Sequence, residues 1–216
     1  MDYPKIQTLF KRDEQNRIIE TEYTMNEFRY LENNLWECTE KIDGTNIHVD
    51  FEVFEGGEMI VFQGRTPKAE IPNHLKEYLI ETFTSERLRE AVPGFGENDF
   101  CGKLFGEGYG MKIQKGGNYM KDRVGFILFD VYINGWWLSR KDCEEISAKM
   151  QIPIVPLVGY KTIPEAIELV RAGFPSLIAE NRQYQAEGLV LKTPCGLKAR
   201  NGERIITKLK TKDFRK

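Results

Sequence analysis

Ile47, Val49, Phe51 and Val53 alternate with His48, Asp50, Glu52 and Phe54. A period of two sends the first set to one face of a β-strand and the second set to the other. Gly56-Gly57 interrupts the run and Met59-Ile60-Val61-Phe62 resumes it, which predicts a hairpin. Phe126-Ile127-Leu128-Phe129-Asp130-Val131-Tyr132-Ile133 reads as a buried strand ending at an Asn134-Gly135 turn, with Trp136-Trp137-Leu138 returning beside it. Two more strands are expected at 188–192 and 204–210.

Helices are announced by their starts. Thr24 with Glu27, Ser139 with Asp142, and Thr162 with Glu165 have capping-box spacing, in which side chains satisfy free N–H groups of the first turn. They predict helices near 25–33, 140–150 and 163–172, the last stopped by Gly173. Leu75, Leu79, Phe83 and Leu88 give a further helical pattern within 72–91. Hairpins mixed with helices, without regular βαβ alternation, predict an α+β fold. With no repeat, low-complexity tract or clear linker, the expectation is one domain over 1–216.

Composition narrows the chemistry. The chain is 41% apolar and 30% charged, enough for a core and too polar for a membrane protein. The most apolar stretch, 125–138, is broken by Asp130 and Asn134, and the opening Met1-Asp2-Tyr3-Pro4-Lys5 lacks the apolar core of a signal peptide. A cytoplasmic protein is expected. Cys38, Cys101, Cys143 and Cys195 are widely spaced, against a zinc cluster or a disulfide framework. His48 and His74 are the two histidines, too few for a histidine metal cage. Any chemistry must rest on Lys, Glu, Asp, Arg or a bound ion.

Net charge is -2, but it is unevenly distributed. Lys192 to Lys216 holds nine basic and two acidic residues, a net of +7, leaving -9 on the other 191 residues. A basic segment beside an acidic body suggests a polyanionic partner; the competing reading is a solvated tail. Within it, Lys208 and Lys210 are two apart, so on a strand both ammonium groups face one way and Thr207 and Leu209 the other. Paired cations call for an anion between them, such as a triphosphate or a phosphate backbone.

Other segments carry reactive groups. Glu40-Lys41-Ile42-Asp43-Gly44-Thr45-Asn46 lies just before the alternating strand. A lysine acts as a nucleophile only when neutral, and a free one with pKa about 10.4 is roughly 0.1% neutral near pH 7.4, so nearby cations or a metal would be needed to activate it. Leu104-Phe105-Gly106-Glu107-Gly108-Tyr109-Gly110 places an acid between glycines, which permits close approach of backbone to a ligand but fits no phosphate-loop pattern. Alone, it reads as a turn. Phe129 could stack on a base, and Glu187 and Lys192 bracket an apolar strand.

Taken in order, these segments resemble the covalent nucleotidyltransferase superfamily, and within it the ATP-dependent RNA ligases of the branch that seals nicks in double-stranded RNA. The matching motifs are 40–46, Phe105-Gly106-Glu107, Phe126 to Asp130, Glu187 to Lys192, and Ile206 to Lys210. Gly64-Arg65-Thr66, Ile113-Gln114-Lys115, Leu197 to Gly202 and Lys212-Asp213-Phe214 add to the likeness.

The resemblance implies a fold of mainly antiparallel sheets flanked by helices, with the nucleotide in a groove between sheets. It implies that Lys41 attacks the α-phosphate of ATP and holds AMP as a phosphoramidate. Glu40 would lie near the adenine amino group and Phe129 would stack on the base. Asp43 and Glu107 would handle ribose hydroxyls or a hydrated metal, and Arg65 the ribose or an incoming end. Glu187 would engage Mg2+ or Mn2+, with Lys192, Lys208 and Lys210 around the phosphates and Asn46 orienting the α-phosphate or the RNA terminus. The AMP would pass to an RNA 5′-phosphate and be displaced by a 3′-hydroxyl. Many relatives continue into a further domain after the last motif, whereas this chain runs six residues past Lys210; the expectation is a single adenylyltransferase domain over 1–216 with no separate C-terminal domain in it, either a minimal ligase or only the adenylyltransferase part of one. A catalytically silent RNA-binding module and a capping-type guanylyltransferase are the alternatives.

Overall fold

The computed structural model describes residues 3–66, 69–114 and 118–215. In chain order come β1 (Gln7–Thr8), β2 (Phe10–Arg12), β3 (Ile18–Tyr23), α1 (Asn26–Tyr30), β4 (Trp36–Glu40), β5 (Thr45–Phe54) and β6 (Gly57–Gly64). Then follow α2 (Asn73–Thr82), α3 (Ser85–Ala91), β7 (Phe100–Gly110), β8 (Val124–Ile133), β9 (Trp136–Trp137) and α4 (Arg140–Met150). After them come β10 (Leu157–Lys161), α5 (Ile163–Ala172), β11 (Gly188–Lys192), β12 (Ile206–Lys210) and a 3-10 turn, Thr211–Phe214. Strands and helices mix as an α+β fold. Among the described residues, no helix is long and apolar enough to cross a membrane.

The chain divides into two compact units interleaved in sequence. The first comprises Tyr3 with the described part of 43–155, the second 4–42 with 156–215. Because the second unit draws on both ends of the chain, no linker composition marks the division.

The first unit is built on a sheet of order β6-β5-β7-β8-β9. Val49, Phe51, Leu104, Phe126, Leu128 and Val131 enter its core with Leu75, Leu79, Leu88 and Ile146 from α2, α3 and α4. The predicted hairpins form as β5–β6 and β8–β9. The glycine-rich stretch expected to be a turn is instead part of β7, paired on both sides. Its glycines answer to bulky neighbours: a Cβ at Gly106 would collide with the Phe126 ring and the Ile127 carbonyl, and one at Gly108 with Leu75. The helical pattern of 72–91 breaks at Phe83, and Thr84 caps a new helix by accepting from the Arg87 N–H.

The second unit holds a sheet of order β1-β12-β11-β4-β10 and the small β2-β3 pair. Trp36, Cys38, Leu189, Leu191 and Leu209 pack with Phe28, Ile163, Ala166 and Val170. The Ser139 and Thr162 capping boxes both form. The one expected at Thr24 does not: its hydroxyl donates to the Thr8 carbonyl at 2.6 Å, and α1 starts without a side-chain cap. The basic segment is tied down rather than trailing, since Arg12 pairs with Asp213 at 2.6 Å and the Arg171 guanidinium lies 5.4 Å from the Phe214 ring centre.

Candidate active site

In the second unit, β11 lies between β4 and β12. Val190 stands opposite Lys208 and Gly188 opposite Lys210, while Lys192 stands opposite Glu37. Directly opposed residues of antiparallel strands share a face. Lys192, Lys208 and Lys210 therefore project to one side, and Leu189, Leu191 and Leu209 turn to the core, as the two-residue spacing predicts.

Lys41 follows the end of β4, and its backbone N–H donates to the Gly188 carbonyl at 2.9 Å. This sets it beside Glu187, the residue before β11. Lys41 Nζ lies 2.5 Å from Glu187 Oε2, and Lys210 Nζ lies 2.8 Å from Oε1. Burial pushes the Glu187 carboxyl up, but the Lys41 charge and the hydrogen bonds from Lys210 and Lys41 outweigh it and hold the group below its usual range. The protein itself thus sets an anion between Lys41 and Lys210. The backbone is fixed as well: Thr211 donates its N–H to the Glu187 carbonyl at 2.8 Å and its hydroxyl to that of Ala186 at 3.1 Å.

Glu40 stands opposite Leu189 and so occupies the other face of the sheet. It is buried, with Oε1 accepting from the Ser176 hydroxyl at 2.5 Å and Oε2 from the Leu177 N–H at 2.8 Å. Burial raises its carboxyl above the usual range, and these two hydrogen bonds offset part of the rise.

The first unit carries the other expected residues. Asn46 on β5 is directly opposite Glu107 on β7, so the two side chains share a face. Asn46 Oδ1 is buried and has no hydrogen-bond partner among the described residues. Such an acceptor costs about 1–3 kcal/mol and suits a ligand donor. Asp43 is anchored through its backbone N–H, which donates to the Tyr119 hydroxyl at 3.0 Å. Gly44 is required by contact, because a Cβ there would run into the Gly108 carbonyl. Arg65 is exposed just after β6. Lys115 lies outside the described residues.

Phe129 sits at an irregularity: Gly106 pairs with Leu128 and Phe105 with Asp130, leaving Phe129 unmatched in the β7–β8 ladder. A bulge of this kind re-aims a side chain. Sequence reasoning gave no chemistry to Tyr3, yet its hydroxyl donates to Asp130 Oδ2 at 2.5 Å and its ring lies 5.0 Å from those of both Phe105 and Phe129. The only sequence sign was the aromatic residue in the lead-in. His48, Asp50 and Lys103 form a second unforeseen cluster. His48 Nδ1 is 2.7 Å from Asp50 Oδ1, and Lys103 pairs with Asp50 Oδ2.

Lys41, Glu187 and Lys210 are therefore brought together, Lys192 and Lys208 share a sheet face, and Glu40 lies on the opposite face. Among the described residues no cluster of three or more acidic, His or Cys side chains could by itself cage a metal. Glu187 still fits Mg2+ or Mn2+, since such ions are commonly bound by one or two carboxylates together with substrate phosphates.

A family model described as RNA ligase matches residues 34–210. No curated protein matches the sequence. Solved structures that resemble the chain include a Naegleria gruberi RNA ligase variant without ligand, at 19% identity and TM-score 0.64, covering 99% of this chain and 58% of that one. A variant of the same ligase with AMP and Mn matches at 18% identity and TM-score 0.63, with 99% and 58% covered. Another, with ATP and Mn, matches at 19% and TM-score 0.60, with 95% and 57% covered. At these identities the likeness concerns the fold, and the chain spans under three-fifths of the solved relatives' length.

Proposed function

The chain belongs to the RNA ligase family, and on that premise we propose that it is an ATP-dependent RNA ligase. It joins RNA 3′-hydroxyl and 5′-phosphate ends through a lysyl-AMP and an adenylylated RNA 5′ end, with nicked duplex as substrate and RNA repair as its role. The observation that carries this reading is the bridge of Lys41 and Lys210 through Glu187, built from three motifs that the sequence places far apart.

In the bridge Lys41 is an ammonium and cannot attack. It becomes a nucleophile on leaving Glu187 and giving its proton to solvent water. Its nitrogen then bonds to the α-phosphorus as the bond to pyrophosphate breaks. Lys210, with Lys208 and Lys192 on the same face, holds charge that develops on the phosphate oxygens. A divalent ion held by Glu187 and the phosphates would further reduce that charge. In the first unit, Asn46 Oδ1 is an acceptor in want of a donor, Glu107 shares its face to engage the ribose or hydrated metal alongside Asp43, Arg65 meets the ribose or an incoming end, and half-buried Phe129 is the stacking surface for adenine. The ATP-bound and AMP-bound relatives with Mn support ATP and a divalent ion as the cofactors. Four free cysteines suit a reducing compartment and support a cytoplasmic location.

The test is incubation of the chain with α-labelled ATP and Mg2+ or Mn2+. Label should remain on the denatured protein and vanish in Lys41→Ala, and a nicked RNA duplex should then be sealed. An unlabelled wild-type protein under both metals defeats the reading. Labelling by GTP in preference to ATP would replace it with a guanylyltransferase, and RNA binding without any covalent intermediate with a silent binding module.

A further inference from the structure

Lys41 and Glu187 meet although 146 residues separate them, and the distance between them depends on two chain segments reaching the same place. Glu40 and Lys41 are adjacent, so their Cα atoms lie about 3.8 Å apart. Their backbone is held by N–H groups donating to Pro156 and Gly188, at 3.0 and 2.9 Å. The Glu40 side chain adds a third anchor at Ser176 and Leu177.

Ser176 belongs to a hairpin-like segment that leads into Glu187. Its backbone N–H donates to Tyr184, Ala186 donates to Phe174, and Pro175 pairs with Gln185. The residue after Ala186 is Glu187. The Ser176 hydroxyl is saturated: it donates to Glu40 and accepts from the N–H groups of Ile178 and Ala179, both at 3.3 Å. Ser176 and Glu40 are both buried. The Ser176–Glu40 bond therefore ties the strand end carrying the nucleophile to the segment carrying its carboxylate partner, from the sheet face opposite Lys208 and Lys210.

We propose that Ser176 is a positioning residue for Lys41, and that Glu40 acts through this clamp rather than by contact with the nucleotide base. The inference rests on the lysyl-adenylate reading above and adds to it the group that fixes the strand end from which Lys41 reaches its target. A misplacement of the order of 1 Å at a reacting atom suffices for a large loss of rate.

The test compares wild type, Ser176→Ala and Ser176→Thr in single-turnover self-adenylation with ATP and with GTP, alongside thermal melts. Ser176→Ala leaves a buried carboxylate oxygen without its donor, and the maximal rate should fall roughly ten-fold with KM for ATP and the ATP-to-GTP ratio unchanged. Ser176→Thr keeps the hydroxyl and should restore most of the rate. A rise in KM with altered base preference would overturn the proposal, because Glu40 would then be reading the base directly. So would a threonine variant as slow as the alanine one while both melt like wild type. If wild type takes no label, the ligase reading itself has failed; if it does and Ser176→Ala matches it, only the clamp has.

Discussion

Each unit holds a carboxylate among nitrogen donors, Glu187 with two and Asp50 with three, and the two networks differ in what can reach them. In the second unit Lys41, Glu187 and Lys210 keep 19%, 16% and 22% of their side-chain surface exposed. In the first, His48, Asp50 and Lys103 keep 3%, 11% and 9%. His48 is closed further by the Gly64 carbonyl at 3.1 Å from Nε2, and Gln63 lies 3.4 Å from Asp50 Oδ2. An accessible ion pair can exchange partners with a phosphate. A closed one cannot, and here it joins Asp50 of β5 to Lys103 directly opposite on β7.

Replacing the carboxylate of the open network gives the largest expected effect. Glu187→Ala should lower self-adenylation on the order of 10^3-fold, while the melting temperature moves by no more than a few degrees. A collapse of the fold with full activity in the surviving fraction would abolish the distinction between the networks. The closed network should behave inversely. Lys103→Met leaves Asp50 charged and buried and should cost about 3 kcal/mol in urea unfolding, the low end for such a loss, because His48 and Gln63 still face Asp50. Labelling per folded molecule should hardly change.

Acid sharpens the same contrast. Burial raises the Asp50 carboxyl, but hydrogen bonds from His48 and Lys103 overcome it, so its net position lies below the ordinary 3.8. A depressed carboxyl stabilises the fold above its unfolded value and loses that contribution as pH falls through its folded value. Glu187 behaves likewise, below 4.5. Glu40 is raised above 4.5, so its contribution runs the other way, declining as pH rises through its elevated value. Wild type should therefore lose stability below about pH 4, and Asp50→Asn should flatten that limb in a pH series of urea melts. An unchanged limb would remove Asp50 from the account.

The smallest effect belongs to Asn46. Removing a buried acceptor without a donor should raise stability by up to about 1 kcal/mol in Asn46→Ala, while adenylation or sealing falls. Greater stability with full activity would deprive Asn46 of a role toward ligand.

Much of this was legible in the order of residues. The alternation at 47–54 and the spacing of Lys208 and Lys210 are local periods, and a strand converts a period of two into a face wherever it lies. The boxes at Ser139 and Thr162 formed because their partners are three residues away. Thr24 has the same spacing, but the Thr8 carbonyl took its hydroxyl. The glycines of β7 look like a turn until Phe126 and Leu75 arrive beside them, and the 72–91 helix breaks where Phe83 enters the core.

The sequence by itself determined which groups could do chemistry: a lysine in a family motif, acids at Glu107 and Glu187, paired lysines on one face. Only the tertiary structure decided which of them touch. Lys41 meets Glu187, Glu40 turns away to Ser176, Tyr3 settles on Phe129, and Asp50 is closed by Lys103. The reason is physical. Periodicity and capping act over a few residues and are written in their spacing, whereas an ion pair or a clamp across more than a hundred residues depends on the competing packing of everything between.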